Sequence, residues 1–87
     1  MSSYSVDPLE SLLDDIAWVD VGWDPALQTY FGQVYECGME DGPPVLWMGQ
    51  RYGEVSTVAE LAARIARYCD LEEDILGQLD MDRMEDQ

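Results

Sequence analysis

Carboxylates are the reactive side chains that this sequence supplies in excess. The segment 70–87 reads DLEEDILGQLDMDRMEDQ, in which eight of eighteen residues are Asp or Glu and Arg83 is the single base. The whole chain of 87 residues carries 19 acids against four arginines, a formal net charge of −15, and contains neither Lys nor His. Carboxylates at this density can serve in proton transfer, in metal binding or in contact with a basic partner.

The residue types that common enzyme sites require are missing. A nucleophilic triad normally uses His as its base, and the chain has no His. A catalytic pair of carboxylates needs a cleft that holds both, which a chain this short rarely forms. Glycine motifs for phosphates or dinucleotides are also missing from the sequence. We therefore expect a protein that is not an enzyme, without catalytic residues and without a cofactor.

The spacing of the cysteines and acids also gives little indication of a metal site. Cys37 and Cys69 do not form a Cys-x-x-Cys pair, and four Cys/His ligands for zinc are not available. Asp80, Asp82 and Glu85 faintly resemble a calcium loop, but Met84 and Glu85 stand where such a loop needs an oxygen ligand and a glycine. The sequence predicts no metal site.

The charge also limits the partners. Nucleic acid and anionic membranes are themselves negative, so direct binding to either is unfavourable. The first residues, MSSYSVDPLES, lack the basic and apolar regions of a signal peptide, and no apolar run approaches the roughly 20 residues of a membrane span. We expect a cytoplasmic protein with reduced cysteines, as a monomer or small homodimer, whose partner is cationic.

The spacing of the apolar residues predicts the helices and strands that position these acids. Asp7-Pro8 begins a predicted N-terminal helix whose apolar residues Leu9, Leu12, Leu13 and Ile16 share one face. Residues 19–26 read as a bridge, with room for a short strand over 18–21. LQTYFGQVYE and PVLWMGQRY alternate and are separated by the turn-rich CGMEDGPP, which predicts an antiparallel hairpin.

Two helices should follow the hairpin. Thr57 and Glu60 stand at capping-box spacing before an apolar stripe. Asp70 and Glu73 repeat that spacing before the last helix, which carries Ile75 and Leu79. The prediction is a single α+β domain over 1–87, with an N-terminal helix, a hairpin of two or three strands, two C-terminal helices, and ends that fray over 1–6 and 82–87.

The aromatic residues leave two interpretations open. Tyr30, Tyr35 and Trp47 lie on the hairpin and cannot all be buried on one face. They either expose a contact patch or pack against Trp18, Trp23 or the C-terminal helices.

The acids exceed what solubility requires, because a net charge of about 2–8 suffices for a small domain. Carboxylates three or four residues apart on a helix lie about 5–6 Å apart, which approximates the charge spacing of a nucleic-acid backbone. The predicted partner-binding residues are Asp70, Glu72, Glu73, Asp74, Asp80 and Asp82, supported by Asp14 and Asp15.

The chain resembles small acidic inhibitors carried by phages and other mobile elements, such as anti-CRISPR proteins and DNA-mimic anti-restriction proteins. Its size, its charge of −15 and the acidic segments ESLLDDIAWVD and DLEEDILGQLDMD carry this resemblance. The resemblance implies a bacterial defence complex as target, without catalysis or cofactor, and implies nothing about topology.

Two functional hypotheses result. The first is an acidic inhibitor that binds a basic nucleic-acid-binding surface of a CRISPR or restriction effector and blocks nucleic-acid access. The alternative is a structural or regulatory interaction module, antitoxin-like or a small dimer, that uses the hairpin edge and its aromatics, with Arg51 and Tyr52 beside Trp47.

Overall fold

The structure is a computed structural model that describes residues 3–39 and 41–85. Its elements are β1 (Tyr4–Val6), a short 3₁₀ helix (Glu10–Leu12), β2 (Ile16–Asp24), β3 (Thr29–Glu36), β4 (Leu46–Met48), α1 (Val58–Ile65) and α2 (Glu73–Glu85). The four strands form one antiparallel sheet in the order β1-β2-β3-β4. The α+β class predicted from the sequence is confirmed.

β2 and β3 form the central hairpin of the sheet. Val19 pairs with Val34 and Trp23 pairs with Tyr30. After Trp18, β2 alternates apolar residues with polar or small ones, which is typical of a strand with one buried face. β3 carries aromatic residues on both faces. Oδ1 of Asp24 accepts the backbone N–H of Ala26 at 3.0 Å, so the Asp-Pro sequence closes the turn between the strands.

The inner face of the sheet, formed by alternate residues of the strands, contains the core. Val19, Val21, Tyr30 and Val34 are fully buried there. Trp23 packs edge-on against Tyr30, with ring centroids 4.8 Å apart. Large apolar side chains on one face of the sheet therefore provide most of the surface on which the helices pack.

Both helices cover this inner face. Leu61 and Ile65 of α1 and Leu79 of α2 belong to the same buried cluster as the strand residues. The hydroxyl of Tyr30 donates a hydrogen bond to the carbonyl of Leu79 at 3.3 Å. A Cβ at Gly32 would lie only 2.9 Å from Cδ1 of Ile65, so this glycine lets α1 approach the sheet closely. Neither α1 nor α2 lies on the opposite, outer face of the sheet.

The prediction of an N-terminal helix is wrong. Only the 3₁₀ turn Glu10–Leu12 is helical between residues 7 and 15, and β2 begins at Ile16. An isolated helix of about eight residues is marginal in water. The period-two pattern of IAWVDVGWD instead lets the backbone pair with β3 while one face packs against the helices. The bridge predicted over 19–26 is likewise a strand for most of its length. Over residues 3–39 and 41–85, the sheet therefore has four strands rather than two or three.

The C-terminal half follows the prediction more closely. β3 and β4 form the predicted hairpin, and Thr57 caps α1 by accepting the Glu60 backbone N–H at 3.1 Å. The last helix begins at Glu73 instead of just after Asp70.

The fraying expected over 1–6 and 82–87 stays a prediction. Residues 4–6 pair with β2 and residues 82–85 belong to α2. Residues 1, 2, 86 and 87 lie outside the described part of the chain. None of the described helices is long and apolar enough to span a membrane.

Candidate protein-binding surfaces

The acids predicted to contact a partner lie mostly around the start of α2. Asp70 and Glu72 belong to the segment that joins the two helices, and Glu73 and Asp74 form the first turn of α2. All four side chains are exposed, as is Asp80 further along the helix. The α1–α2 junction therefore presents a run of carboxylates to solvent, and we call Asp70, Glu72, Glu73, Asp74 and Asp80 the acidic surface.

A shallow groove of about 260 Å³ adds the carboxylate of Asp7, which the sequence places only at the start of the predicted N-terminal helix. The groove is lined by Asp7, Asp70 and Glu72 together with Ser5, Val6 and Ile75. Leu9 donates its backbone N–H to the carbonyl of Tyr68 at 2.8 Å, which holds the segment after β1 against the end of α1. Three carboxylates thus line one groove beside an edge strand of the sheet.

Asp82 differs from the other predicted residues because it is engaged within the fold. Its Oδ2 accepts a hydrogen bond from the Tyr4 hydroxyl at 2.6 Å, and its Oδ1 accepts one from Nε2 of Gln78 at 3.3 Å. The hydrogen bond to Asp82, helped by partial burial, raises the pKa of Tyr4 above its usual value. Asp82 therefore joins α2 to β1 in this structure.

Asp14 and Asp15 are exposed in the turn before β2. They do not line the groove formed by Asp7, Asp70 and Glu72. The carbonyl of Asp15 accepts the backbone N–H of Cys37 at 2.9 Å, and Ile16 pairs with Glu36. The structure thus brings these two acids to the end of the β2–β3 hairpin, beside Glu36.

Basic groups near the acidic surface are few. The two ion pairs that join described residues both use Arg64, which contacts Glu60 at 3.0 Å and Glu54 at 3.7 Å. Arg83 lies near the Tyr30 hydroxyl. Burial raises the pKa of Tyr30, and the positive charge of Arg83 acts in the opposite direction. Within the described ranges, the acidic surface has no arginine paired to it.

The outer face of the sheet forms a second candidate surface. Trp18 and Tyr35 stack there with ring centroids 4.9 Å apart. Asp20, two residues further along β2 on the same face, accepts the Ser5 hydroxyl at 2.8 Å and the indole N–H of Trp18 at 3.3 Å. The open face is therefore aromatic, and its carboxylates are held in fixed positions.

A larger groove of about 490 Å³ lies toward the β4 side of this face. Asp24, Leu27, Phe31, Gln33 and Trp47 line it, and we call it the outer groove. Phe31 is almost buried, whereas 48% of Trp47 is exposed to solvent.

No protein-family model, curated protein or solved structure gives a significant match to this chain. Among the described residues, no group of three or more acids or cysteines is arranged to hold a metal ion. Carboxylates characterise the acidic surface, and aromatic rings characterise the outer face of the sheet.

The outer groove escaped the sequence reading, although a signal for it was present. In WVDVGWD the residues Trp18, Asp20 and Asp24 alternate with Val19, Val21 and Trp23, which predicts a polar and aromatic face opposite an apolar one. Gly22 and Asp24-Pro25 interrupt this segment with turn-forming residues, which is why the sequence predicts a bridge over 19–26 instead of a strand. The aromatic question is also answered: Tyr30 packs in the core, Tyr35 stacks on Trp18, and Trp47 stays half exposed.

Proposed function

We propose that this protein is an acidic inhibitor that binds a basic nucleic-acid-binding surface of a bacterial defence effector, of the CRISPR or restriction type, in the cytoplasm of the host cell. The observation that carries the proposal is the exposure of the acidic surface together with its lack of paired arginines in the described chain. A net charge of −15 steers such a surface toward cationic proteins.

The geometry of α2 suits this role. Glu73 and Asp80 are seven residues apart, so they lie on the same side of the helix and about 10 Å apart along its axis. Gly77 lies between them, with open space where its Cβ would be. Lysines and arginines of a phosphate-binding groove can therefore reach both carboxylates without an intervening side chain.

Inhibition would follow from occupancy. A groove that holds DNA or RNA presents many cations, and anions bound there are released when the acidic surface enters. The carboxylates then exclude nucleic acid from the same cations. Association should be fast and should weaken steeply with salt, because charge complementarity mainly accelerates encounter.

A second candidate function is an interaction module that binds through the outer face and an edge strand. The exposure of Trp47, and of Tyr52 at 75%, favours it. β4 is a short edge strand, and sheet edges pair readily with another chain. One edge position is already used, since Nε2 of Gln50 donates to the carbonyl of Trp47 at 3.0 Å. Such binding should depend little on salt.

Capture from nuclease-treated bacterial lysate with matched variants tests the proposal. One variant neutralises the acidic surface through Glu72→Gln, Glu73→Gln and Asp74→Asn. The control removes three exposed acids elsewhere through Glu10→Gln, Asp41→Asn and Glu85→Gln, which changes the net charge equally. The proposal expects the first variant to lose the partner and the control to keep it. Equal capture by both variants, or equal loss, would contradict the assignment of the acidic surface.

A further inference from the structure

The outer groove has a composition that suits one kind of side chain. It lies on the face of the sheet opposite α1 and α2, and it combines apolar walls from Leu27 and Phe31 with the half-exposed indole of Trp47. A volume of about 490 Å³ is within the range of about 300–1,000 Å³ found for ligand pockets. No Arg lies among its described lining residues.

Asp24 supplies the charge in this groove. Its Oδ1 accepts the backbone N–H groups of Ala26 and Leu27 at 3.0 and 3.4 Å, which fixes the carboxylate on the turn after β2. Within the described chain, no donor reaches Oδ2 of Asp24 within hydrogen-bond distance. A preorganised carboxylate with one available oxygen is a good acceptor for a cationic donor, because little ordering of the site remains to be done.

Trp47 supplies a face for stacking. Its backbone is held on both sides, because β4 pairs with β3 and the carbonyl of Trp47 accepts Nε2 of Gln50. The following residue, Gly49, donates its N–H to a Glu54 carboxylate oxygen at 2.9 Å, which orders the loop after the strand. An indole presented from an ordered strand is the aromatic group that attracts cations most strongly.

We propose that the outer groove binds an arginine side chain of a partner protein, with the guanidinium stacked on Trp47 and hydrogen-bonded to Oδ2 of Asp24. Charge complementarity selects the occupant, since the outer face carries Asp20 and Asp24 on a chain of net charge −15. Arginine fits better than lysine because its planar guanidinium stacks and donates in the same plane, and it is less strongly hydrated. The occupant is a protein segment with an arginine between small residues, which can lie along the open groove.

The outer groove and the acidic surface lie on opposite sides of the sheet, so this site does not rest on the function proposed for the acidic surface. The two sites can be tested separately, because substitutions in α2 leave the outer groove intact.

The probes are three blocked pentapeptides of glycine with a central arginine, lysine or citrulline, titrated into isotopically labelled protein and followed by backbone and indole N–H resonances. The arginine peptide is expected to shift the Trp47 indole resonance and to bind at least about threefold more tightly than the lysine peptide. The neutral citrulline peptide is expected to bind at least about tenfold more weakly than the arginine peptide.

Variants locate the site. Trp47→Ala is expected to weaken arginine-peptide binding about tenfold and Asp24→Asn about fivefold, while Trp47→Phe retains part of the affinity. Asp24→Asn keeps the oxygen that accepts the turn N–H groups, so the fold is preserved. Val45→Ala, at an exposed residue that does not line the groove, is the control and should bind as the wild type does. The triple variant of Glu72, Glu73 and Asp74 should also bind the peptide normally.

Two results would overturn the proposal. One is equal binding of the arginine and lysine peptides with shifts spread over α2, which is the signature of general attraction to a negative protein. The other is unchanged affinity in both Trp47→Ala and Asp24→Asn.

Discussion

The Tyr4 hydroxyl donates a 2.6 Å hydrogen bond to Oδ2 of Asp82 and thereby ties the first strand to the last helix, 78 positions apart in the chain. A hydrogen bond to a charged acceptor contributes about 1.5–3 kcal/mol when it is well enclosed, and less when it is partly solvated. Asp82 was predicted to contact a partner, yet its first role in the structure is to hold β1 and α2 together.

Removing this contact should lower stability without changing partner binding. Tyr4→Phe deletes the donor and keeps the ring, so we expect the free energy of unfolding to fall by about 1 kcal/mol. Urea unfolding measures the change. Tyr52→Phe is the matched control, because 75% of Tyr52 is exposed and no described residue bonds its hydroxyl. A Tyr4→Phe protein as stable as the control would show that the hydrogen bond contributes nothing in solution.

Two glycines with left-handed backbone should respond differently to the same substitution. Gly49 has φ +84°, and a Cβ there would lie 2.2 Å from the carbonyl oxygen of Tyr30. Gly53 has φ +64° with open space around it. Gly53→Ala should cost only the backbone term of about 1–2 kcal/mol, whereas Gly49→Ala should cost more than about 3 kcal/mol.

Thermal or urea unfolding of both glycine variants separates the cost of the left-handed backbone from the cost of the steric clash at Gly49. Similar losses of stability in Gly49→Ala and Gly53→Ala would mean that the loop after β4 can move away from β3. That outcome would also loosen the geometry on which the outer groove depends.

The two cysteines should differ strongly in reactivity. Cys37 is exposed, whereas Cys69 is buried, and its burial raises the pKa of the thiol to about 11. A disulfide reagent near pH 8 should therefore modify Cys37 rapidly and Cys69 only on unfolding. The Cys37→Ser variant isolates the Cys69 reaction, and rapid modification of this variant in the folded state would contradict the buried position.

The same thiol gives a pH dependence. The pKa of Cys69 is higher in the folded state than its ordinary value of 9.0, so the unfolded chain releases its proton first as pH rises. This contribution to stability is fully present below about pH 9 and is lost as pH rises toward about 11. Cys69→Ala should therefore lose less stability than the wild type between those pH values. Parallel losses in the two proteins would assign the change to other groups, such as Tyr4 and Tyr30.

Charge at the two ends of α2 should have opposite effects on stability. Glu73 lies in the first turn, where the helix dipole favours an acid, and Glu85 lies in the last turn, where it does not. Glu73→Gln and Glu85→Gln remove the same charge, so general self-repulsion changes equally. We expect Glu85→Gln to be the more stable of the two by about 0.5–1 kcal/mol.

Partner capture should rank these two variants independently of stability. Glu73→Gln should weaken capture because Glu73 belongs to the acidic surface, while Glu85→Gln should retain it. Weaker capture with Glu85→Gln than with Glu73→Gln would move the contact toward the end of the helix.

Local signals predicted much of the C-terminal half. The Thr57 cap and the apolar stripe of α1 depend on neighbours three or four residues away, so the sequence contains them directly. The N-terminal half depends on long-range pairing. Leu9 to Ile16 has helical spacing, but the energy that decides the structure comes from burying β2 between β1 and β3.

The exposure of Asp70, Glu72, Glu73 and Asp74 could be predicted because these acids lie close together in a polar stretch of the sequence. Their contact with a partner stays a prediction. The outer groove could not be assembled in the same way, since it requires residues from the β2–β3 turn, β3 and β4 together. The role of Asp82 was also hidden, because its partner Tyr4 is at the other end of the chain. Contacts between residues so far apart in the sequence become visible only when the order of the strands in the sheet is known.

The central claim is that the partner's surface is one that binds nucleic acid. The direct measurement is release of the captured lysate partner as salt rises from about 50 to about 200 mM, with and without added DNA or RNA. We predict that the amount of captured partner falls at least about tenfold over this salt range. Added nucleic acid should displace the partner at low salt. A partner that withstands high salt and ignores nucleic acid would contradict the account and direct attention to the outer face of the sheet.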